Sequence, residues 1–338
     1  MKTLILFWMY SYEDIISFEN LLESWREFSH DKRRQKWVME FAMHLTDNII
    51  QLRCRLVKKT YRHGQYRHVR INDPKPRDIH IASVCDRLLH HAIYRVIYRF
   101  FDRTFIFDSY SCRRKKGTHR SLNRFREYAR DASHNHKRTV WVLKCDIRKF
   151  FANIDHRILK TILLRHIEDV DTLDLLSEII DSFHTKDKIG IGLPLGNLTS
   201  QLLVNIYINV FDHFVKEKLN VQYYVRYADD FVILSERREY LLELLPKLSV
   251  FLETKLKLHL HPNKVFIKTF ASGIDFLGWI HFPNYRILRT TTRKKMMNKC
   301  SGESKLETIS SYLGMLKHGN AYRYQKILQP IHDRLLLL

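Results

Sequence analysis

Acidic residues are in short supply in this 338-residue chain: 36 Asp and Glu stand against 58 Lys and Arg, for a formal charge of +22. A folded protein with that excess is suited to a polyanionic partner, because each phosphate contacted releases condensed counterions. Cysteine is scarce as well. Cys54, Cys85, Cys112, Cys145 and Cys300 are odd in number and form no CxxC pair. That pattern excludes a zinc ribbon and a disulfide framework, and it fits a reducing compartment. The 19 histidines show no HxxxH-type spacing with cysteine or carboxylate partners, so they are expected to face phosphate or the core. Glycine (10) and proline (7) are few while hydrophobic residues reach 45%, which excludes a disordered or low-complexity chain. Long apolar runs are missing too. Leu4–Tyr10 is far below the roughly 20 residues needed to span a bilayer. It has no small-residue cleavage site, so neither an anchor nor a signal peptide is expected, and Met9 serves as an initiator as well as Met1. These absences together predict a cytoplasmic protein with no membrane partner.

What is present organises into helices and short strands. Apolar residues recur at helical spacing through Ile15, Phe18, Leu21, Leu22 and Trp25, and again through Trp37, Phe41, Leu45, Ile49 and Leu52. The basic run His30–Lys36 reads as the turn between them. A strand pair is expected over 66–80, turning around Asp73–Arg77, followed by a long helix carrying Leu88, Leu89, Ile93, Val96, Ile97 and Phe100. The basic loop Cys112–His119 leads to another helix. Val140–Cys145 is short, apolar and β-branched, and predicts a buried strand ending at Asp146. Helices are expected over 156–184, a glycine-rich break at Gly190–Gly196, and an apolar helix from Ser200 to Leu219. Strands at Tyr223–Tyr227 and Phe231–Leu234 flank Ala228-Asp229-Asp230. A helix over 238–257, strands near His259–Ile267 and Phe276–Phe282, and a basic helical tail from 290 complete the chain. Tyr61-Arg62-His63-Gly64-Gln65-Tyr66-Arg67-His68 interleaves rings and cations in a manner suited to a nucleic-acid strand, though ordinary helix and strand faces do the same.

Two features carry chemistry: an aspartate closing a buried strand, and an Asp-Asp pair at the tip of an apolar hairpin. Carboxylates beside buried strands need compensation, and paired like charges repel. A divalent cation with a preference for hard oxygen ligands, such as Mg²⁺, relieves both costs at Asp146, Asp229 and Asp230. Two ions about 3.5–4 Å apart would activate a 3′-hydroxyl and stabilise departing pyrophosphate. Taken alone, Asp-Asp is also common turn chemistry.

The flanking residues narrow the choice. Tyr227-Ala228-Asp229-Asp230 resembles the YxDD signature of reverse transcriptases. Asp146–His156 is similar to the first carboxylate motif of the bacterial members, and Leu193-Pro194-Leu195-Gly196-Asn197-Leu198-Thr199-Ser200-Gln201 resembles their primer- and nucleotide-contacting loop and helix. His261-Pro262-Asn263-Lys264 and Ile274–Trp279 are similar to the two elements that follow. All stand in family order, over about residues 60–330. Within that family, Pro194-Leu195-Gly196-Asn197 replaces the PQG-type sequence of group II intron and retron enzymes. With Arg113–His119 and Ser311–Asn320, it resembles the reverse transcriptases of diversity-generating retroelements.

The resemblance implies the following roles. Asp146 and Asp229 bind two Mg²⁺ ions, for which Mn²⁺ substitutes, with the Ile147 carbonyl as a further ligand and Asp230 coordinating less directly. Arg77 lies against the triphosphate and base of the incoming nucleotide, and Arg113 is a second basic position there, where the planar fork of arginine suits polyphosphate. Lys116 binds either triphosphate or template phosphate. Phe151 falls at the steric gate that excludes a ribose 2′-hydroxyl, whereas Phe150 reads as core. Gly196 and Gln201 belong to the substrate loop and helix. Lys264 is a general acid near the pyrophosphate, or simply a surface lysine after a turn. Leu195 stands where accurate enzymes have glutamine, and implies error-prone copying of template adenines.

The expected fold is α+β, the right-hand polymerase. It comprises an N-terminal helical arm (1–60), fingers (61–139), a palm with an antiparallel sheet flanked by helices (140–285, with a fingers insertion at about 156–190) and a small helical thumb (286–338). Implied partners are a template RNA, a cDNA or primer strand, dNTPs and a small oligomeric helical accessory protein, in a prokaryotic or phage setting. A retron or antiviral-defence enzyme, a non-catalytic RNA-binding protein of the same fold and an RNA-copying RNA polymerase remain alternatives. An intron maturase fits less well, because only about 60 residues follow Gly278.

Overall fold

The computed structural model describes residues 11–72, 76–301 and 305–337. The apolar stretch Leu4–Tyr10, the choice between Met1 and Met9, and the turn residues Asp73-Pro74-Lys75 lie outside the described residues.

Serine and aspartate caps set most of the early helix starts. Ser11 forms a capping box with Asp14 at α1 (Tyr12–Ile16), and Ser17 caps α2 (Phe18–Ser29). After the basic turn come α3 (Lys36–Met43) and α4 (Leu45–Val57). The hairpin of β1 (Arg67–Ile71) and β2 (Arg77–Ile81) pairs antiparallel with Ile71 opposite Arg77. Ser83 caps α5 (Val84–Thr104), and α6 (Thr118–Ala132) starts behind Gly117. Strand β3 (Trp141–Asp146) ends on the aspartate as expected. Asp155 caps α7 (His156–Leu164) and Asp169 caps α8 (Val170–Asp181). The apolar α9 (Leu198–His213) begins earlier than its composition suggests and runs on into a π-helical turn at Phe214–Lys218. Then follow β4 (Tyr224–Tyr227), β5 (Asp230–Ser235), α10 (Arg238–Leu256), β6 (Phe266–Thr269), β7 (Ile274–Phe276), β8 (Trp279–His281) and β9 (Arg286–Leu288). Three helices close the chain: α11 (Thr290–Cys300), α12 (Leu306–Leu316) and α13 (Tyr322–Leu336).

Two differences from the sequence reading have simple causes. The stretch His259–Val265 is not a strand, because His261-Pro262-Asn263-Lys264 closes a turn in which the Lys264 N–H donates to the His261 carbonyl. The strand starts only at Phe266. Strand β9 escaped notice because three residues carry too little alternation to be read.

The chain divides into two compact units. The first contains the described residues within 1–107, 147–218 and 250–259. Its core is helical: α2 and α9 pack on α5, and α7 packs on both α8 and α9. Almost every face of α9 is buried, consistent with its apolar composition all round. Asn20 ties α1 to α5 by donating from Nδ2 to the carbonyls of Ile15 and Ala92.

The second unit contains the described residues within 108–146, 219–249 and 260–338. It holds a four-stranded antiparallel sheet in the order β4-β5-β3-β6 and a three-stranded sheet β7-β8-β9. Val142, Val225, Val232 and Leu234 from the first sheet share one core with Leu122, Phe125 and Ala129 of α6. Phe276 and Trp279 of the second sheet, and Leu313 and Leu316 of α12, belong to the same core. The architecture is α+β, with antiparallel sheets covered by helices. No described helix is long and apolar enough to cross a membrane.

Candidate active site

The second unit brings three carboxylates to one end of its larger sheet. In the β3–β5 ladder Asp146 lies directly opposite Asp230, and in the β4–β5 ladder Tyr227 lies opposite Asp230. Ala228 and Asp229 therefore form a two-residue hairpin loop. Ala228 sits at φ +55°, a left-handed conformation that normally favours glycine. The tip is held in place by Arg226, which is fully buried on the opposite face of the strand. Its guanidinium donates to the Ala228 carbonyl at 3.2 Å and to Ser109 Oγ at 3.1 Å. Tyr227 is fixed through its hydroxyl, which accepts from Thr118 Oγ1 at 3.0 Å.

Burial comes first among the forces acting on the hairpin carboxyls. It pushes the Asp229 carboxyl up to about 6, with Asp230 and then Asp146 adding repulsion. Asp230 is also raised, again by burial, although Lys144 opposes the shift. Two lysines offset the negative charge. Lys144 Nζ stands 3.3 Å from Asp230 Oδ1, and Lys264 Nζ stands 2.7 Å from Asp146 Oδ2. Lys264 is aimed there by the turn that contains it, whose His261 N–H donates to the Asp146 carbonyl at 2.7 Å. Sequence reading missed both Lys144 and Arg226. A lysine two residues before Asp146 shares its strand face, and an arginine in an apolar strand breaks the pattern, so both were visible as anomalies.

The donor chemistry suits hard divalent cations: the ligands are oxygens, partly buried and mutually repelling, and a dication removes the repulsion. The cage is not assembled in advance. Among the described residues no three His, Cys, Asp or Glu side chains converge closely enough to hold an ion. Lysines pair with two of the carboxylates instead, Lys264 with Asp146 and Lys144 with Asp230. Arg113 and Lys116 lie in the same unit, on the loop before α6. Arg113 Nη1 donates to the Ser109 carbonyl at 3.0 Å, and Lys116 Nζ lies 4.9 Å from the centre of the Tyr110 ring.

The other predicted residues fall in the first unit, where they too form one neighbourhood. The His80 N–H on β2 donates to the Leu195 carbonyl at 3.1 Å, and Asn197 Nδ2 donates to the His80 carbonyl at 3.0 Å. This seats the Leu195-Gly196-Asn197 loop against the strand that carries the exposed Arg77. Gly196 has φ +106°, and a Cβ there would come within 2.9 Å of Ile79 Cγ2. Gln201 is in the first turn of α9, its N–H reaching the Asn197 carbonyl. Phe151 is half-buried, and its carbonyl accepts from the Leu193 N–H at 2.8 Å, while Phe150 and Ile147 are buried.

An acidic hairpin set against a carboxylate-bearing strand, within an α+β fold, defines a protein of the polymerase palm type. The family model described as "Reverse transcriptase (RNA-dependent DNA polymerase)" matches residues 69–281. This chain belongs to that family. Among curated relatives, it is 26% identical to Protein YkfC of Escherichia coli, over 65% of each chain. It is 23% identical to the group II intron-encoded protein LtrA of Lactococcus lactis, over 72% of this chain and 49% of LtrA. The chain thus spans about two thirds and about half of these relatives' lengths. Among solved structures, telomerase from Candida albicans, in complex with a fragment of telomeric RNA, has a TM-score of 0.53 at 11% identity. That match covers 77% of this chain and 52% of the telomerase. Apo telomerase from Candida tropicalis has a TM-score of 0.50 at 13% identity, with 73% and 60% covered. These likenesses concern the fold alone.

Proposed function

We propose that the protein is an RNA-directed DNA polymerase that extends a primer 3′-hydroxyl with dNTPs on an RNA template. The observation that carries this reading is the register of β3, β4 and β5. It puts Asp146 opposite Asp230 beside the strained Asp229 loop, inside a chain of the reverse transcriptase family.

Asp146 and Asp229, with the Ile147 carbonyl, are the residues that would hold two Mg²⁺ (or Mn²⁺) ions, and Asp230 completes the charge. When bound, such ions lower the pKa of the attacking hydroxyl and stabilise the leaving oxygen. The chain's own residues do the rest. Lys264, whose ammonium lies against Asp146, would carry a proton to the pyrophosphate. Arg77 and Arg113 orient the triphosphate, Lys116 takes template phosphate, and the Phe151 ring excludes a 2′-hydroxyl. Gly196 and Gln201 shape the contact with nucleotide and primer, with Leu195 between them and the base pair. The subdivision into arm, fingers, palm and thumb at 1–60, 61–139, 140–285 and 286–338 belongs to the same reading.

Leu195, together with the Arg113–His119 and Ser311–Asn320 sequences, supports a diversity-generating retroelement as the setting. The enzyme would act there on a structured template RNA with a small oligomeric helical accessory protein. Asp229→Ala is expected to abolish dNTP incorporation, by at least about three orders of magnitude, while heteroduplex binding survives. A wild-type enzyme that binds RNA but never incorporates, with Mg²⁺ or Mn²⁺, would overturn the polymerase reading.

A further inference from the structure

Arg113 and Lys116 apart, two sequence stretches have no role in the chemistry above: Arg113–His119 and Ser311–Asn320. The second unit brings their ends together. The rings of His119 and His318 stack at 3.6 Å between centroids and 17° between planes. Arg286 of β9 lies beneath them. Its Nε donates to the His318 carbonyl and its Nη2 to Asn123 Oδ1 at 3.0 Å, while its own carbonyl accepts from the Asn320 N–H at 2.9 Å. The guanidinium carbon sits 5.6 Å from the centre of the Trp279 ring. Gly319 lies so close to that ring that a Cβ would overlap it, so the His318-Gly319 turn is seated on Trp279.

The charge balance of this cluster is unusual. Arg286 is only 4% exposed, yet no carboxylate pairs with it among the described residues, and its Nη1 is buried without a hydrogen-bond partner. His281 is fully buried, and His119 Nδ1 is buried and unpartnered. Among the described residues, every charge that shifts these four groups is positive. Burial and Arg126 lower the Arg286 guanidinium to about 10. Burial, Arg286 and Arg126 hold His281 at about 3, opposed only by a hydrogen bond with the Phe276 backbone. Burial lowers His119 and His318 as well, with Arg286 adding to the effect at both. A buried guanidinium without a counter-anion is costly. A water could satisfy one or two of these donors, but it would leave the charge uncompensated. One tetrahedral oxyanion offers several acceptor atoms and the missing negative charge together.

We propose that the Arg286–His119–His318 cluster is a phosphate-binding site, and that it takes a backbone phosphate of the bound nucleic-acid strand. His119 and His318 are partly exposed and form its mouth. The source of the phosphate rests on the polymerase reading above, since a free phosphate ion has the same chemistry.

The test uses the full chain and a DNA primer annealed to an RNA template, with binding measured by fluorescence anisotropy in the absence of nucleotides. Arg286→Gln and His318→Gln are compared with wild type over a salt series. A set of primers, each with one neutral methylphosphonate, is compared in parallel. The proposal expects 5- to 30-fold weaker binding, and for Arg286→Gln a slope of log K against log salt shallower by about one. It also expects one methylphosphonate position to weaken wild type about tenfold but to leave both variants nearly unaffected. A flat scan, or a position that weakens wild type and variants equally, overturns it. If Arg286→Gln does not fold, the surface variant His318→Gln carries the scan alone. Stabilisation of wild type but not His318→Gln by inorganic phosphate, with a flat scan, overturns the strand as source and assigns a free anion. Wild type that binds with the expected scan but never extends the primer sinks the polymerase reading alone. Extension with a flat scan sinks only this site.

Discussion

Ala228 stores strain at the centre of the candidate site. Its left-handed backbone costs an alanine about 1–2 kcal/mol relative to conformations it prefers, and glycine carries no such penalty. Ala228→Gly is therefore expected to raise the stability of the protein by about 1 kcal/mol in a urea titration. An unchanged or lower midpoint would show that Arg226 and the ladder do not enforce the strained form. Leu195 makes a different kind of residue-scale case. Its backbone is fixed by β2, so its side chain can be changed without moving the loop. An aliphatic group offers no hydrogen bond to a base pair, and glutamine does. Leu195→Gln should copy template adenines more accurately, as counted by sequencing the cDNA. Equal error rates in the two enzymes would remove Leu195 from the fidelity argument.

Among elements, the loop before α9 and the strand β2 act as one piece. Two hydrogen bonds join them at His80, and Gly196 is pressed onto Ile79 where only a hydrogen fits. Gly196→Ala forces either the left-handed φ on a side chain or the loop off the strand. A cost of about 1–3 kcal/mol is expected. KM for dNTP should rise more than stability alone explains, because Arg77 sits on the same strand. A variant with normal stability and normal KM would uncouple the loop from the strand. The acidic hairpin is a second such piece, gripped from one face by Arg226 and from the other by Lys144. Both cations fix where the carboxylates stand.

For the molecule as a whole, two buried histidines, His90 and His281, and the partly buried His91 weaken the fold in acid. Burial holds His90 at about 3, His91 at about 4 and His281 at about 3, all below the ordinary value of 6.5. Their folded pKa values are depressed, so the unfolded chain binds protons more readily as pH falls. The stability they contribute is complete above about 6.5 and is lost progressively between 6.5 and about 3. Thermal unfolding midpoints measured from pH 7.5 to pH 4.5 should fall, and His281→Phe should fall less steeply than wild type. A midpoint that is flat across that range would mean these rings are protonated in the fold.

Much of this was legible in the chain itself. Helical spacing, serine and aspartate caps, and the apolar runs around Asp146 and Asp229-Asp230 are local properties. They determined the order of elements and the identity of the acidic residues. The missed strand β9 and the late start of β6 were too short or too turn-like to leave a periodic trace. Tertiary structure alone decided the partners. The sequence does not say that Lys264 rests on Asp146 across 118 positions, that Arg226 holds the hairpin from behind, or that His119 meets His318 over Arg286. Charge pairing and burial depend on distance in space, and a chain encodes that distance only through the packing of everything between.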